Sequence, residues 1–184
     1  MELNNLIEQS TFLNKYKYLL KLYNSEELNL NLILKHYRQN LNNYFLNRHE
    51  TKSNIENLKN EIIFLIFLSL HCNNINQEEA SHLWSLICKN ILSKIFHNYL
   101  STKYKDYKKY FFVIGMGKIG VKDLNFTSDI DLIIFFDSKN SPYELYEFNK
   151  SIKALIGNIS NISPTFFHKI DLRLRPDLGN SFIV

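Results

Sequence analysis

The stretch FFVIGMGKIGVKDLNFTSDIDLIIFF, residues 111–136, carries the strongest structural signals in this sequence. An apolar run leads into a glycine-rich turn, and a second apolar run then carries two aspartates, Asp129 and Asp131. An aliphatic strand normally hides its side chains from water, and burying an ionised carboxylate without a partner is very costly. These two aspartates therefore need either a solvated position or a function.

Strand geometry offers a function for the pair. Side chains alternate between the faces of a strand, so Asp129 and Asp131 would point the same way, about 7 Å apart along the chain. Oxygen-rich clusters of this kind suit Mg²⁺, which binds carboxylates, phosphates and water. The alternative is that both lie at the solvated start of the strand, since Thr127 and Ser128 are turn-forming. The spacing leaves both interpretations open.

Composition excludes several classes of protein. The chain has 184 residues, of which 45% are hydrophobic and 22% charged, as in ordinary globular proteins. Its net charge of +4 comes from scattered lysines with no dense basic block, which argues against a nucleic-acid partner. The longest apolar run, residues 62–68, is far short of the roughly 20 residues of a membrane span.

The cysteines and the amino terminus indicate a location. Cys72 and Cys88 form no C-x-x-C pair, and the chain does not begin with a basic-then-apolar signal sequence. A reduced, cytoplasmic setting is the simplest expectation.

The first hundred residues predict a helical lobe, because apolar residues recur at helical spacing and Gly and Pro are almost absent. The predicted helices cover residues 2–23, 26–47, 53–72 and 77–100. Asn76 and Glu79 resemble a capping box that starts the last of them. A lysine-rich segment, 103–109, would then form an exposed hinge to a second lobe, 101–184.

The second lobe alternates short apolar runs with helical pieces. Strands are predicted at residues 111–116, 130–136 and 166–173. Ser141, Pro142 and Glu144 predict a helix start, with the helix running to about residue 159 and bounded by Gly157 and Pro164. The pattern predicts an α/β protein, with a helical lobe followed by a small mixed sheet.

The glycines at 115–120 match G-x-G-x-x-G after a strand, which is also the fingerprint of dinucleotide-binding domains. Such a unit needs a crossover helix of about a dozen residues. Here only Val121 to Phe126 lie between the last glycine and the turn before the second strand. Isoleucine after Lys118, where a P-loop has Ser or Thr, argues against a Walker motif. The same parts also suit a glycine turn that presents N–H groups and Lys118 to phosphate, a short helix, and a strand with paired carboxylates.

Two longer motifs carry a specific resemblance. GMGKIGVKDLNFTSDIDLI (115–133) and IDLRLRPD (170–177) resemble, in order and spacing, the signatures of the bacterial glutamine synthetase adenylyltransferase/adenylyl-removing enzyme family. The resemblance covers residues 110–184 well and the helices at 53–100 more loosely. It implies a minimal polymerase-β-like nucleotidyltransferase core, closest to the amino-terminal, adenylyl-removing unit of that family.

The resemblance also implies a set of site residues. The metal-binding and catalytic carboxylates would be Asp129, Asp131 and Asp171, and a third strand beside the second would bring Asp171 to the pair. Nucleotide or phosphate contacts would come from Gly115, Gly117, Lys118, Ser128, Arg173 and Arg175. Arg173 and Arg175 alternate with Asp171, so they could clamp phosphate bidentately; a surface salt-bridge ladder is their alternative role.

The implied activity is Mg²⁺-dependent transfer of AMP to or from a tyrosine of glutamine synthetase, with ATP, or ADP and orthophosphate, as substrates. The implied partners are glutamine synthetase and the PII signal protein. Two departures support a competing hypothesis: Val121 replaces a family glycine, and the chain stops at Val184, soon after the third strand. By that hypothesis the chain is a truncated, inactive remnant that only binds nucleotide or partner.

Overall fold

The computed structural model describes residues 3–24, 27–46, 51–162 and 169–172. By contacts between Cα atoms the chain divides into two compact units, Met1–Leu83 and Trp84–Val184. In chain order the described elements are α1 (Leu3–Gln9), α2 (Thr11–Tyr16), α3 (Leu30–Leu46), α4 (Thr51–His71), α5 (Gln77–Ser101), β1 (Phe111–Gly115), α6 (Gly117–Gly120), β2 (Ile130–Phe136), α7 (Leu145–Ile162) and β3 (Ile170–Asp171).

The predicted helix at 2–23 is wrong as a single element. Ser10 separates α1 from α2, and its hydroxyl accepts a hydrogen bond from the N–H of Leu13 at 3.2 Å. Serine favours this capping position because its oxygen satisfies an amide that the first helical turn leaves unpaired. A 3₁₀ turn at Lys17–Lys21 then ends the segment.

The next predicted helix begins later than residue 26 for a similar reason. The Asn29 side-chain oxygen accepts hydrogen bonds from the N–H groups of Asn31 at 3.0 Å and Leu32 at 3.3 Å, so α3 starts at Leu30. The predictions for α4 and α5 are confirmed to within two residues. The capping box is confirmed too, with Glu79 N–H to Asn76 Oδ1 at 2.9 Å and Asn76 N–H to Glu79 Oε2 at 2.8 Å.

A polar network lies inside the packed helices α3 and α4. His36 and Glu61 are both buried, and His36 Nε2 lies 2.8 Å from Glu61 Oε2. The hydroxyl of Tyr18 donates to Glu61 Oε1 at 2.6 Å, and that of Tyr23 lies 2.9 Å from His36 Nδ1. Buried polar groups are tolerated when they are hydrogen-bonded, so these contacts tie α3 and α4 to the segment before them.

Glu61→Ala is expected to lower the free energy of unfolding by about 3 kcal/mol, because it leaves the buried His36 without its carboxylate partner and also removes the acceptor of the Tyr18 hydroxyl. Urea denaturation measures the change. Glu56→Ala, on the same helix, removes an equal charge from a half-buried position and should cost under about 1 kcal/mol. Equal losses in the two variants would show that the network does not stabilise this unit.

The same network predicts a pH dependence. Burial, and then the charge of Glu61, raise the pKa of Tyr23 above its ordinary value of 10.0. Below pH 10 the hydroxyl is protonated in both states and its stabilisation is complete; above it the unfolded chain ionises first and stability is lost. Urea midpoints between about pH 9 and pH 11 should fall more steeply in the wild type than in Tyr23→Phe. Tyr146→Phe, at a position 75% exposed, should follow the wild type.

In the part of the chain that the structure describes, the second unit is built around a three-stranded mixed sheet with the order β1-β2-β3. β1 and β2 are antiparallel, with Phe111 opposite Phe136 and Gly115 opposite Leu132, and β3 runs parallel to β2. Burial alternates along β2, as expected for a sheet with one covered and one open face. The covered face includes Ile130, Leu132, Ile134 and Phe136, all buried.

The amphipathic helix α7 is part of the core of this unit. The rings of Phe136 and Phe148 stack with centroids 4.2 Å apart, and Ile152 is completely buried. The predicted start of this helix is wrong: the Ser141 hydroxyl accepts from the N–H of Tyr143 at 3.0 Å in a local turn, and the helix begins at Leu145. The helix ends at Ile162, three residues beyond the predicted end at about residue 159, and Gly157 lies inside it.

The α/β fold class predicted from the sequence, helices followed by a small mixed sheet, is confirmed. β2 has the predicted bounds, and β3 falls within the predicted 166–173, of which 166–168 and 173 lie outside the described residues, as does Pro164. The division into lobes at residue 100 stays a prediction. None of the described helices is both long and apolar enough to span a membrane.

Candidate functional site

The three predicted carboxylates lie at one end of the sheet and differ in exposure. Asp129 is exposed and directly precedes β2, Asp131 is half-buried as the second residue of β2, and Asp171 is 7% exposed on β3. The carboxylates are therefore arranged from solvent towards the interior.

Strand register brings two of them together. Asp131 pairs with Asp171 in the parallel β2–β3 ladder, which is anchored by a 2.8 Å hydrogen bond from Ile130 N–H to the Lys169 carbonyl. Residues paired in register on neighbouring strands share a face, and neighbouring strands lie about 4.8 Å apart. The sequence prediction that the third strand places Asp171 beside the DxD motif is therefore confirmed for Asp131.

The glycine turn packs directly on this pair. Gly117 opens α6 with a φ of +52°, in the left-handed region, and a Cβ built on it would lie 2.5 Å from Asp131 Oδ2. Met116 N–H donates to the Asp131 carbonyl at 2.8 Å, which extends the β1–β2 ladder up to the turn. Glycine is required at 117 both by its φ and by the space that the carboxylate occupies.

A second close approach closes the turn. A Cβ on Gly120 would lie 2.7 Å from the carbonyl oxygen of Gly115, so backbone meets backbone there. Val121, where the resembling family has glycine, has a φ of −86° and a side chain 71% exposed. Valine therefore fits at position 121 without backbone strain. The two positions where the backbone requires glycine, 117 and 120, both have it.

The short helix expected after the glycines, over Val121–Phe126, is wrong in position. The helix is formed by the glycine segment itself, Gly117–Gly120, and residues 121–127 form turns and loop. The connection between the two strands, residues 116–129, is one residue longer than predicted, because β1 ends at Gly115. It joins antiparallel strands, which excludes the parallel crossover of a dinucleotide-binding unit.

The loop that delivers Asp129 is held by a residue that the sequence analysis did not single out. The side-chain oxygen of Asn125 accepts from Thr127 N–H at 3.2 Å and from the Ser128 hydroxyl at 2.5 Å. Asparagine commonly forms such turns by bonding the backbone two residues on, so the Asn-x-Thr-Ser pattern was the available signal.

The start of the same loop is fastened to α5. Leu124 is buried, and its N–H donates to the Ser85 hydroxyl at 3.0 Å. The ring of Phe126 meets Trp84 edge to face at 5.1 Å. These contacts, which join residues about forty positions apart, were beyond sequence reasoning.

The predicted phosphate contacts fall at the glycine turn and in the loop before β2. Gly115 ends β1, Gly117 and Lys118 lie in α6, and Lys118 is exposed beside the carboxylate end of the sheet. Ser128 is half-buried and donates to Asn125. Arg173 and Arg175 lie outside the described residues, and the role predicted for them remains a prediction.

The donor set can be compared with what Mg²⁺ requires. Asp131 and Asp171 offer only oxygen, and Mg²⁺ usually takes one or two protein carboxylates and completes its shell with water and phosphate. Within the described ranges no group of three His, Cys, Asp or Glu side chains is assembled closely enough to hold a metal ion. The chemistry of the pair fits the ion, and the turn at Gly117 leaves a surface that a Cβ would fill.

Comparison with known proteins assigns the chain to a protein family. The model of the glutamate-ammonia ligase adenylyltransferase family matches residues 3–184. This chain therefore belongs to that family. No solved structure shows a significant match to the chain.

Curated relatives match a shorter segment. Three proteins described as bifunctional glutamine synthetase adenylyltransferase/adenylyl-removing enzymes are similar to this chain. Those of Brucella suis, Bartonella quintana and Agrobacterium fabrum are 39%, 40% and 36% identical over 75, 76 and 75 residues. In each case the match covers 38% of this chain and 8% of the relative, so the chain spans a small part of their length.

Gly117→Ala is expected to lower the free energy of unfolding by about 1–3 kcal/mol, because the methyl group meets Asp131 and the left-handed φ disfavours alanine. Gly157→Ala is the matched control: it lies within α7 with no atom within 4 Å of the added Cβ, and it should stabilise by about 0.5–1 kcal/mol. Urea denaturation measures both. A neutral or stabilising Gly117→Ala would contradict the tight approach of turn and carboxylate.

Proposed function

We propose that this chain carries an adenylyl-transfer site that acts on glutamine synthetase, with the removal of AMP from a tyrosine as its favoured direction. The observation that carries the proposal is the register pair Asp131–Asp171, with the glycine turn packed on Asp131. Family membership supports the reaction class, and the names of the curated relatives supply glutamine synthetase as the substrate protein.

The roles proposed for the residues depend on their positions. Asp131 and Asp171 would hold Mg²⁺, with Asp129 joining them from the loop end of β2. When bound, the ion would neutralise phosphate charge and polarise the phosphorus that reacts. Lys118, exposed on α6, would carry a positive charge to the phosphates, and Arg173 and Arg175 are proposed to grip them bidentately.

The reaction proposed is a balanced exchange at phosphorus. An oxygen of orthophosphate bonds to the phosphorus of the AMP group, the bond from that phosphorus to the tyrosine oxygen breaks, and a proton returns to the tyrosine. The products are ADP and the free tyrosine side chain. AMP addition is a separate reaction, in which the tyrosine oxygen bonds to the α-phosphorus of ATP, the tyrosine loses its proton and pyrophosphate leaves. The PII signal protein is proposed as a second partner through the family resemblance.

The catalytic assignment predicts large losses on neutralising the carboxylates. Asp131→Asn and Asp171→Asn should each lower the rate of AMP release from adenylylated glutamine synthetase, with Mg²⁺ and orthophosphate, by about a hundredfold or more. The double variant Asp129→Asn/Asp131→Asn should be at least as impaired. Release is measured by the appearance of ADP, and the addition direction by incorporation of labelled AMP.

Asp123→Asn is the matched control, because it removes the same charge from an exposed position of the loop after α6. Its rate should stay within about twofold of wild type. Activity in the Asp131 and Asp171 variants equal to that of Asp123→Asn would overturn the assignment of the carboxylates.

A non-catalytic binding role is the competing hypothesis, favoured by the exposure of Asp129 and by the lack of a three-residue metal group in the described part of the chain. Calorimetry separates the two. Affinity for ATP or ADP that does not change with Mg²⁺, together with no turnover in either direction, would support binding alone. Affinity that rises with Mg²⁺ and falls in Asp171→Asn would support the metal-dependent site.

A further inference from the structure

A groove of about 360 Å³ runs along the sheet in the second unit; its lining contains none of the three carboxylates, and it borders the glycine turn through Gly115 and Gly120. Its size falls in the range of clefts that bind ligands. The walls come from α5, from the 3₁₀ turn at Tyr107–Lys109, from β1 and from α6. The apolar part of the lining includes Leu92, Phe96, Phe111, Val113, Ile119 and Leu132.

The groove runs beside a sheet edge whose backbone groups point outward. The hydrogen bonds from Met116 N–H to the Asp131 carbonyl and from Asp137 N–H to the Tyr110 carbonyl, both 2.8 Å, fix which residues of this strand bond to β2. Hydrogen-bonding residues alternate along an antiparallel strand. The N–H and C=O groups of Phe111 and Val113 are therefore directed away from β2, on the edge that borders the groove, whereas the carbonyl of Gly115 is covered by Gly120.

β1 has β2 as its neighbour, and no other described strand pairs with it. Unpaired strand edges are templates for another extended chain, and proteins commonly protect them with charges or cover them. Here the edge is flanked by apolar side chains and an open cavity, so it offers both main-chain partners and a place for side chains.

Two lysines lie at opposite ends of the groove. Phe96 contacts Phe111 at the start of β1, with ring centroids 5.9 Å apart, and Lys108 lies at that end. Lys89 lies seven residues earlier on α5, about 10 Å along the helix, and also lines the groove. Both lysines are exposed, and within the described residues neither forms an ion pair.

We propose that this groove binds an extended peptide segment of a partner protein, which adds as a strand beside β1. The segment has apolar residues in its middle and an acidic residue at each end, one for Lys89 and one for Lys108. β1 has five residues and so spans about 16 Å, which sets the length of the segment that can pair with it. The proposal is independent of the adenylyl-transfer function.

The test uses the full chain and fluorescein-labelled peptides, with binding measured by fluorescence anisotropy. The parent peptide is Glu-Val-Thr-Val-Glu, and Lys-Val-Thr-Val-Lys is its charge-reversed control. Two further analogues carry backbone N-methyl groups, one at both valines and one at the threonine. N–H groups alternate in direction along a strand, so the two analogues are methylated on opposite edges of the bound peptide. One analogue therefore loses hydrogen bonds to β1, and the other carries its methyl groups on the edge that faces away from β1.

The parent should bind, and the charge-reversed peptide should bind at least about tenfold more weakly. One N-methylated analogue should lose at least about fivefold in affinity while the other stays near the parent. If both analogues bind as tightly as the parent, or if both lose affinity, strand addition is overturned. No binding of the parent up to about 1 mM would also overturn the proposal.

Variants of the chain locate the site. Lys89→Glu/Lys108→Glu should weaken the parent about tenfold and strengthen the charge-reversed peptide, whereas Lys105→Glu, exposed and outside the groove, should change neither. Sedimentation tests for another occupant. If the chain forms a dimer without peptide and the parent peptide dissociates that dimer, the edge of β1 binds a second copy of the chain. That result would overturn a partner peptide as the natural ligand.

Discussion

The contact between Gly117 and the Asp131 carboxylate is the constraint on which the candidate site depends. It sets the left-handed turn after β1, because any side chain at 117 would occupy the space of Oδ2. The neighbouring hydrogen bond from Met116 N–H to the Asp131 carbonyl fixes which residue of β2 lies beside the turn. Register then passes from β1 to β2 and on to β3, so that Asp171 lies opposite Asp131. One close approach of backbone and carboxylate thus aligns three strands.

Much of this arrangement could be predicted from local pattern. The apolar run of β2 and the capping box of α5 are short-range signals, and both predictions are confirmed. The errors came where a polar side chain competes for backbone amides: Ser10 and Asn29 each start a helix inside a segment whose apolar periodicity continues through them. α7 runs three residues beyond its predicted end and contains Gly157, since glycine ends a helix only where the backbone must turn.

The glycine motif shows why a pattern needs its surroundings. G-x-G-x-x-G after a strand suits several phosphate-binding folds, and the sequence separates them only by the length of the segment between the last glycine and the next strand. The structure explains why glycine is needed at two positions of the motif. Gly117 has a left-handed φ and lies against a carboxylate, and Gly120 lies against the carbonyl of Gly115. Val121 carries neither demand, since its φ is negative and its side chain points into solvent. The departure from the family pattern at 121 is therefore weak evidence for loss of the site.

The three aspartates are positioned by different means, and this bears on how the site is assembled. Asp171 is buried and held by strand pairing, so its place is as stable as the sheet. Asp131 shares that ladder and is also backed by the glycine turn. Asp129 is exposed and depends on the loop that Asn125 organises and that Ser85 and Trp84 fasten to α5. Because loops open at lower free energy than paired strands, the first two carboxylates form the fixed part of the site. The contribution of Asp129 varies with the order of its loop.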